Sequence, residues 1–217
     1  MIKLRTIESE GVSGNLTVES YDKLMRSLMK KGYLDTSTIL QSGITYGTAL
    51  EVGPGPGYLG IDWLSKTQGT FLKGLDISQD MINMSQRNAQ EFKVQDRVEY
   101  HLGNAKQMTF DDETFDAVFT NGSLHEWSDP KLVLDEIYRV LKPGGRYCIT
   151  DLRRDITPFA RIILQFAIPK ERKEGFVSSL NASYTMEELK PILKATKLSR
   201  ADITKELWTV VVIGRKN

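Results

Sequence analysis

Between Thr48 and Leu152 short apolar runs alternate with amphipathic stretches, and this alternation restricts the fold more than any other feature of the chain. The runs are TALEV at 48–52, FLKGLDI at 71–77, VEYHL at 98–102, FDAVFTN at 115–121 and GRYCITDL at 145–152. Each is separated from the next by enough chain for a crossover, which parallel neighbours require and antiparallel ones do not. The expected architecture is therefore α/β: five strands of a mostly parallel sheet with helices on its faces.

The helices between these runs have readable ends. Ser78 is placed to cap a helix through Met81, Met84 and Phe92. Asp129 followed by Pro130 is a cap plus a first-turn proline, after which Leu134, Ile137, Tyr138 and Leu141 line one face until KPGG stops the helix. After Leu152 the alternation lapses. Residues 153–184 read as two helices joined by the charged link KERKEG, and Thr185 with Glu188 forms a capping box for a helix through Ala195. The end, ADITKELWTVVVIG, reads as two adjoining strands with a polar turn near Lys205. Upstream, ESYDKLMRSLMKKGYL has helical spacing, with Tyr21, Leu24, Met25 and Leu28 on one side, and such a helix packs on the sheet and covers its ligand edge.

A chain of 217 residues with 40% hydrophobic content is long enough for one sizeable core. The expected organisation is a single domain: an N-terminal helical cover at 1–45, a ligand-binding core at 46–152, a helical cover for the substrate at 153–184, and a C-terminal helix with a strand hairpin at 185–217. The formal charge of +1 gives no reason to expect nucleic acid or an anionic membrane. The 13 Lys/Arg against 8 Asp/Glu from Asp151 onward read as solvated surface. A single cysteine, Cys148, lies in a strand-like run, which suits a reducing cytoplasm. The longest greasy segment, FARIILQFAI, is half the roughly 20 residues of a membrane span and reads as a partly buried helix, while MIKLRTIESEG has no apolar core of a leader peptide. Two histidines and one cysteine make no metal cluster, and Asn121, Asp129 and Asp151 form no persuasive oxygen triad, so no metal is expected.

The stretch ALEVGPGPGYLG, directly after the first strand, contains both a Gly53-Pro54-Gly55-Pro56-Gly57 bend and a formal G-x-G-x-x-G match from Gly55 to Gly60. A dinucleotide pyrophosphate needs backbone N–H groups, and neither proline has one. A cofactor without phosphate loses little from the prolines and gains a stiffened loop. Asp76, ending the second strand, is placed to accept the hydroxyls of a ribose under either reading. Glu51 separates them: a carboxylate beside a pyrophosphate is unfavourable, but it suits a cofactor that carries an ammonium and a sulfonium.

Taken in order, LEVGPGPG, GLDIS, LGNAKQMTF, FDAVFTNGSLHEW and LDEIYRVLKPGGRYCITDL resemble the successive motifs of the class I S-adenosylmethionine-dependent methyltransferases, nearest the small-molecule and quinone-type branch. The resemblance covers residues 45–152 and, more loosely, the last thirty. It implies a Rossmann-like, doubly wound, seven-stranded sheet with its last strand antiparallel, and S-adenosylmethionine as cofactor. By that likeness Glu51, Gly53, Pro54, Gly55 and Gly57 sit by the methionine portion. Asp76 binds the ribose, Ile77 packs on adenine, and Asn104 and Ala105 meet the adenine edge. Asn121, at the end of the fourth strand, completes the expected cofactor-binding set. The family commonly has Asp where this chain has Asn104, and the Asn oxygen remains able to accept from an adenine amino group.

Methyl transfer from a sulfonium requires alignment and exclusion of water, with a base only for a protonated nucleophile. His125, in NGSLHEW after the fourth strand, is the expected catalytic residue, as base or orienting group. Trp127 reads as core with a share in the pocket wall, and His101 as structural. The expected activity is methyl transfer to a small organic acceptor. A non-catalytic cofactor-binding subunit and an NAD-binding oxidoreductase are the alternatives. Nothing resembling an Asn-Pro-Pro-Tyr run points to a nucleic-acid substrate, and the oligomeric state is left open.

Overall fold

The computed structural model describes residues 4–6, 15–168 and 173–217. Its centre is a seven-stranded sheet in the order β3-β2-β1-β4-β5-β7-β6. The strands are β1 (Thr48–Val52), β2 (Phe71–Asp76), β3 (Val98–Leu102), β4 (Phe115–Asn121), β5 (Leu141–Leu152), β6 (Asp202–Lys205) and β7 (Thr209–Arg215). β1 to β5 pair in parallel, and β7 runs antiparallel between β5 and β6. The helices are α1 (Asn15–Lys30), α2 (Thr36–Gln41), α3 (Tyr58–Ser65), α4 (Gln79–Glu91), α5 (Pro130–Val140), α6 (Pro158–Ala167), α7 (Lys173–Ala182) and α8 (Met186–Lys194).

Strand order reverses between β1 and β4, so the connections after these strands leave toward opposite faces and open a crevice at their carboxyl ends. The sheet is buried on both sides, which is why its inner strands are apolar runs and not alternating ones. One layer packs Leu50, Val118, Tyr147, Ile149 and Val212 against α5 and α8 through Leu134, Ile137, Leu189 and Leu193. The other packs Ala49, Ala117, Phe119 and Cys148 against α3 through Tyr58, Trp63 and Leu64. Among the described residues no helix is long and apolar enough to cross a membrane.

The expected caps form. Ser78 accepts from the Met81 amide at the start of α4, and Asp129 from the Leu132 amide at the start of α5. The Thr185 hydroxyl accepts from Glu188 N while Glu188 accepts from Thr185 N, closing the capping box. β5 starts at Leu141, four residues earlier than the apolar run suggests, because Leu141 already pairs with Phe115 across an irregularity in β4. α6 is half-buried: Ala160 and the preceding Ile156 pack beneath it while Phe159, Ile162 and Ile163 stay exposed. Of the charged link, residues 170–172 lie outside the described residues, and Lys173 begins α7. Thr185→Ala removes the cap of α8 and leaves the Glu188 amide without its partner; we expect about 1 kcal/mol lower stability, read as a lower urea midpoint at unchanged slope.

Candidate active site

The crevice is an open cleft enclosing about 890 Å3 when its solvent-filled mouth is included. Its floor is the loop after β1. Gly53 and Gly55 take φ of 68° and 53°, left-handed conformations that side-chain-bearing residues avoid, and together with Pro54 they turn the chain sharply without a clash. Every N–H in this bend is occupied. Gly53 N donates to Leu75 O at 2.9 Å, Gly55 N to Asp76 Oδ2 at 3.0 Å and Gly57 N to Pro54 O at 2.9 Å, while Pro54 and Pro56 have none.

Asp76 closes β2 with its carboxylate against the backbone donors of Gly55, Ser78 and Ile77. It is 8% exposed, and burial raises its pKa above the usual carboxylate value against the pull of those donors. Glu51, on β1, is 2% exposed, and its Oε2 has no hydrogen-bond partner. Burial first, and the neighbouring Asp76 charge second, push its pKa to about 8, with the Gly60 amide opposing. Gly60 is needed for this approach, since a Cβ there would lie 2.4 Å from Glu51 Oε2. Two desolvated carboxylates and no free loop amide make this wall suited to a cation and hostile to a pyrophosphate.

Ile77 remains 43% exposed in the cleft beside Gly103, Asn104 and Ala105, an apolar shelf at the end of β2 and β3. Asn104 Oδ1 accepts from Lys106 N at 2.9 Å, so one of its two lone pairs is committed to its own turn. Tyr21 and Met25 of α1 reach over the cleft, and Asn121, Gly122, Ser123, Glu126 and Trp127 line the side after β4.

Two expected residues stand elsewhere. Gly57 is not part of the lining; it turns the chain into α3 at φ 84°, where a Cβ would lie 2.5 Å from the Tyr100 hydroxyl. His125 does not line the cleft either. It is 4% exposed, in a short 3-10 turn at Leu124–Glu126, with its ring Nδ1 2.9 Å from Asp151 Oδ1 and its amide donating to Asp151 Oδ2 at 2.7 Å. Its carbonyl accepts from Arg5, whose guanidinium also lies over Tyr184. The reason is tertiary: with three residues per 3-10 turn, successive side chains point in different directions, and the Asp151 carboxylate at the end of β5 holds the His125 ring on the side away from the cleft while Glu126 and Trp127 line it.

The residues of this site coincide with a family match: residues 50–149 match a methyltransferase domain. The chain is 29% identical over 176 residues to demethylmenaquinone methyltransferase of Tropheryma whipplei, covering 78% of this chain and 70% of that one. It is 37% identical over 90 residues to demethylmenaquinone methyltransferase of Symbiobacterium thermophilum, covering 42% of this chain and 35% of the relative. Among solved structures it superposes on a Methanococcus maripaludis protein described as S-adenosyl-L-methionine-dependent methyltransferase, with a TM-score of 0.74 at 23% identity over 94% of this chain and 96% of that one.

The buried Glu51 carboxyl has a measurable consequence. Its folded pKa of about 8 lies above the ordinary 4.5, so the native state holds a proton that the unfolded chain releases between those values. Stability is therefore fully present below about 4.5 and falls as pH rises through about 8, with Asp76 contributing in the same sense. Thermal melts of the ligand-free protein across this range should show that decline, and Glu51→Gln should flatten most of it. Residues 50–149 thus match a methyltransferase domain, and the chain shares the fold of the Methanococcus maripaludis protein.

Proposed function

We propose that the chain transfers a methyl group from S-adenosylmethionine to a small organic acceptor. The observation that carries this reading is the loop at 53–57, where no amide remains to meet a phosphate while two buried carboxylates face the cleft. The residues fit the cofactor. Glu51, with an unpartnered oxygen, would face its cationic amino-acid portion; Gly53, Pro54 and Gly55 would give it close backbone contact. Asp76, with the acceptor capacity its carboxylate keeps beyond the Gly55, Ser78 and Ile77 amides, would hold the ribose hydroxyls. Ile77 and Ala105 would flank the adenine, with Asn104 at its edge. When bound, the cofactor supplies a methyl group on a positively charged sulfur, already activated for displacement.

The chain's own part is to orient the acceptor and exclude water. Tyr21 and Met25 of α1 cover the cleft, and Arg5, bonded to Ala182 O at 2.6 Å and to His125 O at 2.8 Å, ties α7 to the turn beside it. The relatives named as demethylmenaquinone methyltransferases support a small, ring-bearing acceptor, and Trp127 offers such a ring an apolar wall. His125 is a positioning residue that fixes the turn carrying Glu126 and Trp127. A reducing cytoplasm, which keeps the buried Cys148 a free thiol, is the setting.

Isothermal titration tests the reading directly. S-adenosylmethionine should bind, NAD should give no heat, and Asp76→Ala should weaken the former roughly 10- to 100-fold, the loss of about 1.5–3 kcal/mol for a charged acceptor. Affinity should rise with pH toward about 8, since a cation beside Glu51 favours its ionised form and expels its proton. Labelled methyl should pass from the cofactor into a small-molecule fraction of a cell extract; cofactor binding with no transfer into any fraction would mean a regulatory subunit.

A further inference from the structure

We infer that Asp35 and Thr150 lock the amide of Asn121 with its carbonyl oxygen turned to the cleft, and that this oxygen receives an O–H or N–H that the methyl acceptor carries at or beside its reacting atom. The inference rests on the methyltransferase reading above and deepens it by naming a chemical requirement on the acceptor. Asn121 ends β4 and lines the cleft between the β1 loop and the 3-10 turn. Its Nδ2 donates to Asp35 Oδ2 at 2.6 Å and to Thr150 Oγ1 at 2.7 Å, so both amide hydrogens are used. Neither partner belongs to the cleft lining. The Thr150 hydroxyl in turn bonds Asp35, which closes a triangle of three side chains from β4, β5 and the segment before α2.

The orientation of an Asn side chain is assigned from its partners, and here the partners decide it. A carboxylate only accepts, so Asp35 takes the nitrogen side and leaves Oδ1 as the amide atom available to a ligand. Among the described residues Oδ1 takes no hydrogen bond. Asp35 also stands at the N-cap of α2 and makes no side-chain cap bond there. An Asp at that position ordinarily stabilises its helix by bonding a first-turn amide; this one reaches across the cleft edge instead, 86 residues along the chain. Burial raises the Asp35 carboxyl above its usual range while Thr150 and Asn121 pull it back, the expected state of a desolvated charge held by two donors.

The arrangement selects by satisfaction. A carbonyl oxygen fixed in the cleft wall costs free energy when an acceptor molecule displaces its water and offers only carbon in return, and gains a bond when the molecule offers a donor. Hydroxyl and amine acceptors fit, as does a ring carbon flanked by a hydroxyl.

Sinefungin and S-adenosylhomocysteine test this without knowledge of the acceptor. They share the amino-acid, ribose and adenine portions, and differ at the reaction centre, where sinefungin carries an ammonium donor. Contributions of Glu51 and Asp76 therefore largely cancel in the ratio of their dissociation constants. Asn121→Leu should weaken sinefungin about tenfold relative to S-adenosylhomocysteine, and Asp35→Ala should move the ratio the same way by a smaller factor. Retained S-adenosylhomocysteine affinity in each variant reports an intact fold. Wild-type selectivity unchanged in Asn121→Leu would overturn the inference and leave the methyltransferase reading standing. Failure of wild-type protein to bind either compound would overturn both.

Discussion

The bond from the Gly55 amide to the Asp76 carboxylate is the contact on which the rest of the site depends. It ties the loop after β1 to the end of β2, whose register is already set by Val52 opposite Leu75 and by Gly53 N on Leu75 O. The other Asp76 oxygen accepts from Ser78 N, so the same carboxylate also fixes the start of α4. A glycine bend held this way has no amide left to give. It offers a ligand shape and close approach, and recognition falls to the carboxylates around it. That division separates this loop from phosphate-binding loops of similar composition, in which the backbone amides themselves are the recognition groups.

Elements whose stability is decided within a few residues were legible before the structure. TALEV is β1 residue for residue, and the caps at Ser78, Asp129 and Thr185 follow from short side chains within three residues of the amides they bond. The hairpin of β6 and β7 is legible from β-branched residues around a polar turn. What escaped reading depends on partners far along the chain. KPGG was expected only to stop α5, yet the strand pairing of Leu141 with Phe115 carries β5 straight out of that helix. α2 is six residues long, and its burial through Thr36 and Ile39 depends on contact with α3, which no local periodicity announces.

The same distinction runs through the site. Glu51, Gly53, Pro54, Gly55, Asp76, Ile77, Asn104 and Ala105 all line the cleft, and each lies on or within three residues of a strand end that places it. His125 was expected in the cleft because it follows β4, but the sequence carries no sign of which way a 3-10 turn rotates its side chains, and Asp151 decided it. Asp35 was missed for the opposite reason. Its position before Thr36 reads as an ordinary helix cap, and only the fold reveals that its carboxylate is committed to Asn121 and Thr150.

The two halves of the cleft thus differ in how the chain builds them. The half assigned to the cofactor comes from the loops after β1, β2 and β3, each short and next to its strand. The opposite side is set from behind its lining: Asp35 and Thr150 hold Asn121, Asp151 holds His125, and Arg5 bonds both His125 O and Ala182 O. Contacts of such long sequence separation are costly to assemble and leave no local motif. They also leave the first half untouched when they change. A fold of this kind can therefore keep one side of its cleft and vary the other, because among the described residues Glu51 and Asp76 share no side-chain hydrogen bond with the Asp35–Asn121–Thr150 triangle.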